Sequence, residues 1–73
     1  MADVDWTAHA KNLLKAELKR RGVSYRELAE KLTAMGIPKN ERNIANKISR
    51  GGFTAAFLLQ CLEAVDATSL RLD

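Results

Sequence analysis

Three breaks divide the chain into four short segments, and they restrict its fold more than any other feature of the sequence. Two of them are glycine turns, at Gly22 and at Gly51-Gly52, and the third is Gly36-Ile37-Pro38. Within the segments apolar residues recur at spacings of three and four, which predicts helices at about 5–21, 24–35, 40–50 and 54–66. A chain of 73 residues supports only one hydrophobic core, so the sequence predicts a single all-α domain over residues 1–73.

The predicted helix starts carry their own signals. Ser24 and Glu27 have the spacing of a capping box, in which each side chain binds the backbone N–H of the other residue. Asp5 can cap the first helix, and Asn40 is favoured over Lys39 as the cap of the third. The fourth segment starts at Thr54, with Phe53 and Leu58 at the spacing of a hydrophobic staple around it. These residues therefore set the starts of all four predicted helices.

The fourth segment is apolar around most of its girth, which indicates either a central core helix or part of a subunit interface. Phe57 and Cys61 in this helix, with Leu70 and Leu72 in the tail, are the residues where we expect a homodimer contact. The tail 69–73 alternates polar and apolar residues with the period of a short strand. It is expected to be disordered, to pack as coil, or to pair with the tail of a second chain.

The large aromatic side chains are also expected to be covered. Trp6 begins the apolar face of the first helix, and together with Phe53 and Phe57 it is expected to fill the core or an interface. His9 has no potential metal ligand at a suitable spacing, so it is expected to lie at the surface or at the edge of the core.

The positive charge of the chain is concentrated in its middle. Residues 11–50 hold eleven basic and four acidic residues, whereas the segments on either side each have a small acidic excess. The net charge of the whole chain is +3. Lysine and arginine that neutralise phosphates release counterions, so such a block indicates a polyanionic partner. A solvated helix face is the alternative interpretation.

The third helix has an unusual composition. Its only large apolar residues are Ile44 and Ile48, and most of its other positions are arginine, asparagine, lysine, serine or glutamate. Arginine can bind two acceptors on guanine, and asparagine can bind the acceptor–donor pair on adenine. The composition favours a helix that reads base edges, although asparagines that cap the helix or face water would give the same pattern.

Other classes of function are disfavoured. One cysteine and one histidine provide neither an internal disulfide nor a zinc site, as suits a cytoplasmic protein. No carboxylate pair, nucleophile motif or phosphate loop is apparent, so we expect no enzyme, cofactor or small-molecule ligand. The longest apolar run, 55–59, is far shorter than the roughly 20 residues of a membrane span, and the acidic start is unlike a signal peptide.

The chain also resembles a known family. The stretch Leu14-Lys-Ala-Glu-Leu-Lys-Arg-Arg-Gly22-Val-Ser24-Tyr-Arg-Glu27-Leu-Ala29, followed by Ile48-Ser-Arg-Gly51, resembles the phage-repressor (Cro/lambda-repressor-like) helix-turn-helix family. A Lys-Ile-Ser-Arg-Gly-Gly-Phe stretch also resembles a short bacterial domain family of unknown function with this fold. The resemblance implies a four-helix, lambda-repressor-like helix-turn-helix domain that binds double-stranded DNA sequence-specifically and regulates transcription as a homodimer.

The resemblance also implies which residues meet DNA. The positions that read bases correspond to Arg42, Asn43, Asn46 and Lys47. Contacts to the backbone or to an outer base correspond to Tyr25 or Arg26, and contacts to phosphates to Lys39 and Arg50.

One departure favours another interpretation. The turn from Gly36 to the third helix is two or three residues longer than the tight turn of the family, which puts standard docking in the major groove in question. The alternative is a helix-turn-helix fold that serves as a protein–protein interaction module without DNA binding.

Overall fold

The computed structural model describes residues 5–70. They form four helices in the order α1 (Trp6–Arg20), α2 (Tyr25–Ala34), α3 (Glu41–Arg50) and α4 (Ala55–Ala64). Each helix lies inside its predicted range, and residues 5–70 contain no strand, so this part of the chain is all-helical. None of these helices has the length and apolar character needed to cross a membrane.

Each helix begins at a side-chain cap. Asp5, Ser24, Asn40 and Thr54 each accept a hydrogen bond from the backbone N–H three residues further on, at 2.8–3.1 Å. Glu27 completes the capping box, because its carboxylate accepts the Ser24 N–H at 3.2 Å. All four predicted caps are confirmed, and they supply acceptors for N–H groups that a helix start leaves without partners.

The four helices do not all end in the same way. A glycine with positive φ follows or caps α1, α2 and α3, whereas α4 is followed by Asp66 with a φ of 59°. The Asp66 N–H donates to the carbonyl of Glu63 at 3.1 Å, and the next N–H, of Ala67, donates to that of Leu62 at 2.8 Å. This is the closing pattern that a glycine usually provides, and an aspartate adopts it at a conformational cost.

One core joins the four helices. The helix α3 packs against both α1 and α2, and α2 also packs against α4. Every helix contributes at least two buried side chains to this core, among them Leu14, Leu18, Leu28, Leu32, Ile44, Ile48, Phe57 and Cys61. Because α3 contributes only its two isoleucines and touches two other helices with one narrow side, most of its surface is left outside the core.

A buried carboxylate links the ends of α1 and α4. Glu17 is 2% exposed, and its oxygens lie 3.3 Å from Arg20 Nη1 and 2.8 Å from Arg21 Nε. Arg21 Nη1 also donates to the carbonyl of Val65 at 3.1 Å. Arg21 therefore neutralises the buried charge and ties the C-terminal end of α4 to α1.

Burial corrects two expectations about apolar residues, the first of them only in part. Trp6 is 70% exposed, and its ring and the His9 ring form a T-shaped pair with centroids 5.9 Å apart. Trp6 therefore does not fill the core, and its place in an interface stays a prediction. Phe57 and Cys61 lie inside the core of a single chain, so neither offers its side chain to a second copy. The large apolar residue of α4 that is exposed is Leu59, at 64%.

The tail beyond α4 is coil as far as the structure describes it. Residues 67–70 contain no helix or strand, and Leu70 is half-buried. Leu72, the last residue of the expected dimer contact, lies outside the described residues.

Candidate nucleic-acid interface

The positions of two isoleucines determine which side of α3 packs against the other helices. Asn40 caps its first turn, and Ile44 and Ile48, one turn apart, are fully buried. At 100° per residue, the opposite side of the helix presents the exposed residues Arg42, Asn43, Asn46, Ser49 and Arg50. The helix thus displays arginine and asparagine side chains over its ten residues, a length of about 15 Å.

These polar side chains have no strong partners inside the described part of the chain. The ion pairs of residues 5–70 involve Glu17 or Glu30, and none includes a residue of α3. The Asn43 hydrogen bond to the cap uses its backbone N–H and not its amide side chain. The outward donors and acceptors of α3 are therefore available to an external ligand.

Lys47 has a different orientation from the other basic residues of α3. It lies on the flank of the helix, and its Nζ is 5.3 Å from the centroid of the buried Phe57 ring of α4. A cation over an aromatic face at this distance is attracted by the ring. The ammonium is therefore drawn toward α4.

The start of α2 provides two further residues from the predicted site. Tyr25 is half-buried and packs against the core, while Arg26 is exposed. Arg26 Nε lies 3.8 Å from Glu30 Oε2, with both side chains mostly in solvent, so this pair is weak.

The connection between α2 and α3 consists of residues 35–40. Ile37 packs against the core, and its N–H donates to the carbonyl of Leu32 at 2.9 Å. Lys39, the predicted phosphate contact, is half-buried, and its carbonyl accepts a hydrogen bond from Thr33 Oγ1 at 3.4 Å. The longer connection is thus attached to α2 at two points.

The end of α3 is in close contact with α1. Gly51 is buried with a φ of 74°, and a Cβ built on it would lie 2.8 Å from both the Cγ2 and the carbonyl oxygen of Thr7. Only a residue without a side chain allows the two helices to approach this closely. The contact sets the position of α3 on the rest of the protein.

A cleft lies at the junction of α3 and α4. It has a volume of about 290 Å³ and is lined by Lys47, Arg50, Gly52, Phe53 and Thr54. The sequence indicates the two basic residues but not Phe53 and Thr54 as their neighbours. The available signal is the Gly51-Gly52 break, which keeps the connection from α3 to α4 short.

The one thiol of the chain, that of Cys61, lies in the core. Burial raises the pKa of the Cys61 thiol to about 12, and the Lys47 ammonium opposes this shift only in part. The thiol stays protonated at neutral pH, so it is not a nucleophile there. Within residues 5–70, no group of three His, Cys, Asp or Glu side chains is arranged to hold a metal ion.

Comparison with known proteins identifies one family. The family model described as Domain of unknown function (DUF6471) matches residues 6–70, which covers all four helices. No curated protein and no solved structure matches the chain.

Proposed function

The chain belongs to the DUF6471 family, and we propose that this member is a lambda-repressor-like helix-turn-helix protein that binds double-stranded DNA sequence-specifically. In this proposal α3 is the recognition helix, α2 braces it, and a homodimer regulates transcription in the cytoplasm of a bacterium. The protein binds its ligand and does not transform it, so the proposal includes no enzymatic activity.

The observation that carries the proposal is the two-sided character of α3. One side buries two isoleucines against α1 and α2, and the other exposes Arg42, Asn43, Asn46 and Arg50 without ion-pair partners in residues 5–70. A helix of this width fits the major groove, which is about 12 Å wide and about 8.5 Å deep. Asparagine and arginine there can bind adenine and guanine through paired hydrogen bonds.

The basic charge supports the same interpretation. Residues 39–50, which form α3 and the end of the turn before it, contain four basic residues and one acidic residue. Contacts of Lys39 and Arg50 with phosphates would supply affinity, while Arg42, Asn43 and Asn46 would supply sequence preference. A homodimer would place two such helices on half-sites about 34 Å apart.

Selection of bound duplexes from a random pool tests the proposal directly. We expect an enriched sequence with base preferences at several adjacent positions. Binding to a random duplex should weaken as salt is raised, with a log–log slope of about −0.9 for each phosphate contacted. A pool that stays random, together with no binding at low salt, would reject DNA as the ligand.

Matched asparagine variants locate the reading surface. Asn46→Ala should lower the affinity for the selected site about tenfold, because one paired base contact contributes roughly 1–3 kcal/mol of discrimination. Asn12→Ala, at an exposed position of α1, is the control and should leave the affinity unchanged. An equal loss in the two variants would show that α3 does not read the site.

A second candidate function rests on the outer side of α4. A shallow groove of about 460 Å³ lies between α4 and the tail, lined mainly by Leu59, Leu62, Ala67 and Leu70. Leu59 is a large apolar side chain that α4 leaves exposed, and a contiguous exposed apolar patch is typical of protein contacts. The groove therefore fits either the homodimer or an interaction module that binds another protein and no DNA.

Light scattering on the unmodified chain and on Leu59→Lys examines this groove. A dimer that becomes a monomer in the variant assigns the groove to self-association. A monomer in both, together with DNA binding that survives the substitution, would remove the groove from the DNA-binding assembly.

A further inference from the structure

We propose that the cleft between the end of α3 and the start of α4 binds a single phosphate group through Lys47, Arg50 and Thr54. The phosphate comes either from the DNA backbone, in which case the inference rests on the proposed function, or from a free phosphate compound. In both cases the group is an oxyanion held by two cations and a hydroxyl.

The charges around the cleft are of one sign. Lys47 and Arg50 both line it, and neither belongs to the ion pairs found in residues 5–70. The first turn of α4 contains no acidic residue, unlike the first turns of α2 and α3, which contain Glu27 and Glu41. An anion entering this cleft therefore meets two cations and no carboxylate on the lining residues.

The Phe57 ring positions one of these cations. Lys47 Nζ lies 5.3 Å from the ring centroid, and the ring is buried and packs against Phe53 at 5.6 Å. A lysine side chain loses much rotational freedom when it is ordered, and an attractive ring beneath it reduces that loss on binding. Phe57 is thus a positioning residue, which acts on the ligand through Lys47.

Thr54 completes the cleft with a donor of a different kind. Its Oγ1 accepts the Phe57 N–H at 3.1 Å as the cap of α4. A hydroxyl that accepts one hydrogen bond still has its own hydrogen to donate. Because Thr54 is exposed and lines the cleft, that hydrogen can be directed to a bound oxyanion.

This arrangement changes the role expected of Lys47. The sequence resemblance assigns it to base reading, together with Asn43 and Asn46. Its position on the flank of α3, drawn toward Phe57, makes it a contact to a phosphate instead. Under this assignment Lys47 contributes affinity for every sequence and no preference among bases.

The first test uses inorganic phosphate and no DNA. Amide signals are followed by NMR while phosphate is added to the full chain, with chloride at equal ionic strength as the reference. We expect selective shifts at Lys47, Arg50 and Thr54 that are lost in Lys47→Gln and kept in the control Lys31→Gln. Equal shifts with phosphate and chloride would overturn the cleft as a phosphate site.

The role of the ring is tested with two substitutions of Phe57. Phe57→Leu removes the aromatic face but keeps an apolar side chain, and it should reduce the phosphate response while the control signals of α1 stay in place. Phe57→Tyr keeps the face and should restore the response. A response that is the same in both variants would remove Phe57 from the site.

The second test uses duplex DNA. Lys47→Gln should weaken binding to the selected site and to a random duplex by the same factor, about fivefold, and lower the salt slope by about 0.9. A changed preference at one base pair with an unchanged slope would overturn the phosphate assignment and leave the proposed function intact.

The two tests separate the two sources of phosphate. A selective response to inorganic phosphate without any DNA binding assigns the cleft to a free phosphate compound and rejects the proposed function. DNA binding that neither Lys47→Gln nor Arg50→Gln weakens rejects the DNA backbone as the source of the phosphate, and together with equal shifts in phosphate and chloride it rejects the cleft and leaves the proposed function intact. If phosphate causes no selective shifts and the protein binds no duplex DNA, both the cleft and the proposed function are rejected.

Discussion

Replacing Gly51 by alanine tests how closely the end of α3 must approach α1. The new Cβ would lie 2.8 Å from the Thr7 Cγ2 and carbonyl oxygen, and 3.3 Å from the Lys11 Cβ. Rotation of the Thr7 side chain relieves the first contact. The carbonyl oxygen belongs to the backbone of α1, so the second contact is relieved only if one helix moves relative to the other.

The cost has two parts. An alanine with positive φ is disfavoured by about 1–2 kcal/mol relative to glycine. Crowding in a close-packed site adds about 1–3 kcal/mol. We therefore expect Gly51→Ala to lower the free energy of unfolding by about 2–5 kcal/mol, a large part of the roughly 4–11 kcal/mol typical of a domain of this size.

Gly22→Ala is the matched control. Gly22 has a similar φ of 67°, but a Cβ there would meet nothing within 4 Å, so only the conformational part of the cost applies. Gly52→Ala, with open space and no positive φ, should be nearly neutral. Urea unfolding followed by circular dichroism measures all three variants. Equal losses for Gly51→Ala and Gly22→Ala would refute the close packing of α3 on α1.

Further predictions concern the ends of the helices and the buried thiol. Arg21→Ala should lower the free energy of unfolding in urea by about 2 kcal/mol, because it leaves the buried Glu17 carboxylate with one partner. The control Arg26→Ala should leave the free energy of unfolding almost unchanged, because the pair of Arg26 with Glu30 is exposed. Asp66→Gly should raise the free energy of unfolding by about 0.5–1 kcal/mol, since glycine adopts the positive φ without strain, and a lower melting temperature would contradict this. Burial raises the pKa of Cys61 from 9.0 to about 12, so above pH 9 the unfolded thiol loses its proton while the folded one keeps it. Stability should therefore fall more steeply with rising pH in the unmodified chain than in Cys61→Ala, and parallel pH profiles would contradict the prediction.

Local chemistry made the helix starts predictable. A cap depends on one side chain and the next three residues, so Ser24 with Glu27, and likewise Asp5, Asn40 and Thr54, could be identified without tertiary information. The narrow apolar side of α3 was predictable for a similar reason. Two isoleucines one turn apart define a buried side, and the other residues of the helix must then face elsewhere.

Features that depend on neighbouring helices were not predictable in the same way. Periodicity assigned Trp6 to the apolar side of α1, but it does not say how far other elements cover that helix, and the side chain is 70% exposed. An apolar helix such as α4 fits a core or an interface equally well, and only packing placed Phe57 and Cys61 inside. The spacing of Glu17 and Arg21 indicates a pair, whereas the burial of Glu17 required the fold.

The candidate interface likewise has a part that local sequence predicts and a part that depends on packing between helices. The residue types of α3 that suit base edges were predictable from composition alone. The orientation of Lys47 over Phe57 depends on a contact between two helices, and no spacing within either helix indicates it. The placement of the predicted residues on DNA stays a prediction.

The hydrogen bond from Arg21 to Val65 bears on how the chain folds during synthesis. It joins residues 44 positions apart, so a nascent chain can form it only after all of α4 and Val65 have left the ribosome. Until then, Arg21 lacks its partner at the C-terminal end of α4, and chaperones or proteases encounter an incompletely closed domain. Loop closure over this separation also slows the last step of folding relative to formation of the individual helices. A chain stalled before Val65 should thus be more readily proteolysed than one released in full.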